Sequence, residues 1–138
     1  MSNPTAEELD LLHHLAALKA DRARAEIAHA KGKVLAIEMA ISDLRRFEGY
    51  VVGDPATAKS QERWLAWRHM RLAELNRDLA LARATVASVT AANTTDIARE
   101  EVLDVLRDEA RRDERRRKAA QALEALATAP RPPGGRYP

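Results

Sequence analysis

From Ala56 to Ala129 the chain contains neither glycine nor proline. These are the two strongest helix breakers, so a run of this length, rich in Ala, Leu, Arg and acidic residues, reads as one very long helix. The prolines are Pro4, Pro55, Pro130, Pro132, Pro133 and Pro138, and the glycines are Gly32, Gly49, Gly53, Gly134 and Gly135. They divide the chain into a disordered N-terminus over 1–4, a helix over about 5–48, a turn over 49–55, a second helix over about 56–128 and a disordered tail over 129–138.

The first helix has a clear start. Thr5 followed by Glu8 forms a capping box, in which the hydroxyl takes an orphan N–H and the carboxylate reaches back to the cap. From there a seam runs Leu9, His13, Ala16, Ala20, Ala23, Ile27, Ala30, Val34, Ile37, Ile41, Leu44, in steps of four and three. A 3.5-residue period held this long calls for a partner helix wound against it. In "FEGYVVGDPA", Gly49 suits a left-handed helix end, and Asp54-Pro55 an N-cap before a first-turn proline, with Ser60 as an alternative start. The second helix carries its own seam through Leu65, Arg68, Leu72, Leu75, Leu79, Ala82, Val86, Val89 and Asn93. After "TAANTTD" the apolar period falters and resumes at Ile97, Val102, Leu103 and Leu106.

Two such seams joined by a short turn make antiparallel neighbours. The expected fold is therefore all-α: two long helices in an antiparallel coiled-coil hairpin, the second longer than the first, folding alone as an elongated monomer. With a tight turn, partners whose residue numbers sum to roughly 102–109 keep seam on seam, and a heptad slip preserves the pattern. On that register helix one is exhausted near residue 100, leaving "RDEARRDERRRKAAQ" (107–121) as an overhang. Its first twelve residues hold seven basic and four acidic side chains. Asp108 with Arg112, Asp113 with Arg117 and Glu114 with Lys118 are spaced for i,i+4 pairs.

Composition narrows the function. Of 138 residues 46% are apolar but only 4% aromatic, and 23 basic residues face 21 acidic ones for a net charge of +2. Nucleic-acid binders carry basic patches unopposed by acids, and no aromatic in the overhang offers a base a stacking face. Without cysteine there is no thiolate site or thiol nucleophile. His13-His14, His29 and His69 lack metal-ligand spacing, and no phosphate-binding loop or catalytic constellation is present. Neither a signal peptide nor a membrane-spanning run is evident. The expectation is a non-enzymatic protein of the cytoplasm, needing no cofactor, metal or small molecule.

Four of the five aromatic residues, Phe47, Tyr50, Trp64 and Trp67, cluster at the turn beside Val51 and Val52. They read either as a small tip core or as a partner anchor, since Trp and Tyr dominate binding hot spots. The overhang likewise reads as a solvated helix, as a docking surface for a protein, or as a nucleic-acid arm. The candidate partner-binding residues are Trp64, Trp67, Arg111, Arg112, Arg115 and Arg116.

With "ERWLAWRHMRLAEL" opening the second helix and "REEVLDVLRDEARRDERRRKAAQALEAL" closing it, the chain resembles the bacterial flagellar export stalk proteins of the FliJ type and their injectisome relatives. The resemblance covers about residues 5–127. It implies a fold similar to the central stalk of rotary ATPases and no enzymatic activity. The partners it implies are a hexameric export ATPase, the export gate and export chaperones. It would hold the chain at a membrane only through an export complex, and would turn Arg111, Arg112, Arg115 and Arg116 toward the ATPase. The alternatives are a homodimeric coiled-coil scaffold and, third, a nucleic-acid-binding helical arm.

Overall fold

The computed structural model describes residues 4–46, 55–130 and Gly134, the side chains of 55–57 excepted. Expectations for the Gly49 helix end, the Asp54 cap, Phe47, Tyr50, Val51 and Val52 and nearly all of both tails lie outside these residues. Among the described residues there are two helices: α1, Ala6–Arg46, of 41 residues, and α2, Pro55–Thr128, of 74.

The capping box forms as the sequence dictates. Glu8 N–H donates to Thr5 Oγ1 at 3.2 Å, and Thr5 N–H donates to Glu8 Oε2 at 3.2 Å. α1 then runs unbroken through Gly32, where an added Cβ would meet nothing. A solvent-facing mid-helix glycine costs about 0.5–1 kcal/mol relative to alanine, too little to interrupt a helix whose stability comes from its packed face. α2 begins at Pro55, whose missing N–H is no loss in a first turn.

The contacts divide the molecule into an inner unit, Lys19–Ile97, and a terminal unit, Met1–Leu18 with Ala98–Pro138. In each, α1 and α2 pack as antiparallel partners of a helical hairpin. All eleven seam residues of α1 are buried or half-buried, with Leu9, Ala16, Ala20, Ala23, Ala30 and Ile41 deepest. From α2, Leu75 is buried and Leu72, Leu79, Ala82, Val86, Val89 and Asn93 are half-buried. Leu65, read as a seam residue, is 45% exposed, and Trp64 turns inward in its place. The bulkier ring has more apolar surface to remove from water.

The seam of α2 does not falter after Asn93. Asp96, Ile97, Glu100, Leu103, Arg107, Ala110 and Glu114 are all half-buried, continuing the steps of three and four. The expected resumption through Val102 and Leu106 is wrong, because these are 58% and 42% exposed. The geometry continues while its side chains turn polar.

The register also differs from expectation. Across the inner unit Arg83 meets Glu38 and Asn93 meets Glu26; in the terminal unit Asp104 meets His13 and Arg111 meets Asp10. These partner numbers sum to between 117 and 121, against the expected 102–109. Seam residues facing each other then sum to about 116, one heptad past the upper end of that range. Such a slip leaves every seam residue on the seam. The tight turn assumed from the sequence pairs α2 from its first residue, whereas in the structure Arg68, well inside α2, donates from Nη2 to Arg45 O in α1's last turn at 3.0 Å.

Candidate functional site

The register decides which residues are free to meet a partner. In the terminal unit α1 begins at Ala6, and the last half-buried residue of α2 is Glu114. Every described residue from Arg115 to Pro130 is exposed. The overhang expected over 107–121 is thus corrected to Arg115–Thr128, about two helical turns later.

This register separates the four candidate arginines. Arg111 belongs to the paired region, donating from Nη2 to Asp10 Oδ1 at 3.3 Å. One turn earlier, Arg107 is half-buried on the seam. Its Nη1 donates to His13 Nδ1 at 3.0 Å and its Nη2 to Asp104 Oδ1 at 2.9 Å, while its Nε lies 3.8 Å from Asp10. Arginine only donates hydrogen bonds, so His13 Nδ1 is the acceptor and its Nε2, 3.4 Å from Asp104 Oδ1, faces a carboxylate. His13, Asp10, Asp104, Arg107 and Arg111 form a polar clasp that holds the start of α1 to α2. His13 already stands in the α1 seam read from the sequence and Arg107 continues the seam spacing of α2, while Asp10, Asp104 and Arg111 flank the seam and carry no apolar signal.

Arg112, Arg115 and Arg116 remain on the outer surface. Arg116 lies 3.9 Å from Asp113 and Lys118 lies 3.5 Å from Glu114. The Glu114–Lys118 pair is as expected. The pairs Asp108–Arg112 and Asp113–Arg117 do not form, and Asp113 serves Arg116 instead. Arg112, Arg115 and Arg117 have no ion pair among the described residues. Such exposed pairs contribute between zero and about 1 kcal/mol each, so the arginines are held loosely. With its start moved to Arg115, the overhang carries Arg115, Arg116, Arg117 and Lys118 against the single acid Glu124. Beyond them it turns apolar, with Leu123 68% and Leu126 75% exposed. It is a basic turn followed by an uncovered Ala/Leu helix.

The second candidate lies in the inner unit. Ala40, Asp43 and Leu44 of α1 and Trp64, Trp67 and Arg71 of α2 line a shallow, mostly apolar groove. Arg68 stacks its guanidinium 5.5 Å from the Trp64 ring centroid. Trp64 is half-buried and Trp67 is 54% exposed. The choice between tip core and partner anchor therefore divides by residue: Trp64 packs and Trp67 presents.

The chain matches no family model, no curated protein and no solved structure. Among the described residues no helix is long and apolar enough to cross a membrane.

Proposed function

We propose that this chain is a non-enzymatic coiled-coil stalk or adaptor that docks another protein through Arg115–Thr128. The observation that carries the reading is that α2 continues beyond the start of α1 with every residue exposed. A helix that ends its partnership on the basic turn 115–118 and then presents Leu123 and Leu126 one turn apart has the anchors of a helix seated in a partner's groove. The arginines offer fixed forks of donors to carboxylates at the rim of that groove. From the resemblance drawn above, the partner is a hexameric ATPase of flagellar or type III protein export, with the export gate and chaperones as further contacts.

The test is titration of the chain against the export ATPase of its own cell, with duplex DNA and single-stranded RNA titrated in parallel. The native chain should stimulate the ATPase, and Arg112→Glu/Arg115→Glu/Arg116→Glu should abolish that stimulation without moving the melt. Arg111 stays native, because reversing it would break the clasp to Asp10. Salt alone decides nothing, since exposed charges are screened on any partner. Micromolar nucleic-acid binding at about 150 mM salt, with the ATPase unaffected, sinks this reading and favours the nucleic-acid arm.

A further inference from the structure

The two flanks of the seam in the terminal unit are chemically unlike. In heptad lettering with Leu9 and Leu103 at d and His13 and Arg107 at a, the residues beside the seam are e on one flank and g on the other. In an antiparallel pair e faces e and g faces g. The e flank holds Asp10 and Arg111, which are bonded to each other at 3.3 Å. The g flank holds Leu12 and Leu106, whose numbers sum to 118, within the range of the observed pairs. Where the other flank has an ion pair, this one has two leucines, 47% and 42% exposed.

The apolar surface widens from there. Leu15 and Val102, at c, are each 58% exposed, and Leu18 and Val105, at f, are each 56% exposed. Six side chains left half open in one patch present on the order of 500 Å², beyond the scattered single hydrophobes of an ordinary surface. Per copy that approaches the roughly 800 Å² that one partner contributes to a standard stable interface. The hairpin cannot cover it, since both helices already contribute to it.

We propose, in place of the monomer expected from the sequence, that this flank is a self-association surface, on which two copies pack antiparallel through their terminal units as a four-helix bundle. The charges at the ends of the patch select both occupant and direction. Glu8 and Glu109, at c, stand exposed at one end, and Arg99, at g, stands exposed at the other. A two-fold axis across the helices near Leu15 lays the acidic end of each copy on the arginine end of its mate. An axis along the helices would set Glu8 against the copy's Glu109, and like charges across an interface are costly. The surface is complementary to itself in one direction only. This goes beyond the docking role of Arg115–Thr128, which lies outside the patch.

Sedimentation equilibrium on the full chain at tens of micromolar should give twice the 15.3 kDa chain mass. Leu12→Glu/Leu106→Glu should reduce it to a monomer with helicity retained. If that variant loses helicity, Leu15→Lys/Val102→Lys, on more exposed positions, decides in its place. The chain has no cysteine, so Leu15→Cys reports direction: mild oxidation should link the substituted position to its own copy near the two-fold axis. A native chain that stays monomeric overturns the proposal, as does a dimer that survives both double substitutions. A Leu15→Cys dimer whose two thiols do not join overturns the antiparallel arrangement. Loss of the dimer with ATPase stimulation kept separates this inference from the docking reading.

Discussion

Trp64 and Trp67 sit three residues apart on one helix, yet the register gives them different work. Trp64 occupies the seam position that apolar spacing assigns to Leu65, and it carries the Arg68 guanidinium on its face. Trp67 is 54% exposed above the groove. Trp64→Ala should therefore lower the melting temperature by several degrees. The corresponding loss is about 2 kcal/mol, below the ~3–5 kcal/mol of a fully buried aromatic. Trp67→Ala should leave the melt within about a degree, as surface substitutions do, while weakening capture of any partner that seats in the groove. Thermal denaturation of both variants checks this, and equal losses would make the tip a common core. A sequence cannot make this division by pattern alone, because Trp64, Leu65 and Arg68 all fall within one residue of the ideal seam.

At the scale of elements, the seam of α1 was legible throughout and that of α2 only from Arg68 to Asn93. The seam of α1 is written in Ala, Ile, Val and Leu, and each of its eleven positions is covered. The later seam of α2 is written in Asn93, Asp96, Glu100 and Arg107, with only Ile97, Leu103 and Ala110 to mark it. The register sets Asn93, Asp96 and Glu100 opposite Ala23, Ala20 and Ala16. Small residues on one helix leave room for longer polar side chains on the other, whose stems cover the alanines while their heads reach water. Asn93 shows how such a residue is satisfied, donating to Val89 O at 2.8 Å and to Glu26 Oε2 at 3.1 Å. The physical signal was therefore spacing, with hydrophobicity as its usual but dispensable label. The overhang starts later than a tight turn implies because the register lies about one heptad further along, with pairs such as Arg83–Glu38 and Arg111–Asp10. Truncation tests the corrected boundary: a chain ending at Glu114 should melt within about 2 °C of the native one, since it loses only exposed residues. A chain ending at Leu106 loses Arg107, Ala110 and Arg111 and should melt several degrees lower. Equal melts would restore the earlier boundary.

For the molecule as a whole, one quantity links fold to proposed function: the register between α1 and α2. It fixes where α1 is used up, and so which arginines are bound to Asp10 and which are free. It also sets Leu12 beside Leu106, and so creates the apolar flank. Sequence pattern constrains it only to within a heptad, because a seven-residue slip exchanges like for like; the length of the connection then chooses among the slips. The direct measurement uses two cysteine pairs in a chain that has none of its own. Ala30→Cys/Val86→Cys joins positions whose numbers sum to 116, and Ala30→Cys/Leu79→Cys joins positions one heptad short, displaced by about 10 Å along the helix. Since a disulfide requires Cα atoms within about 7 Å, only one pair can close within a chain. The register described here predicts intrachain closure of the 30–86 pair with helicity retained, and no closure of the 30–79 pair. Closure of 30–79 in its place, or linkage only between chains, would contradict it.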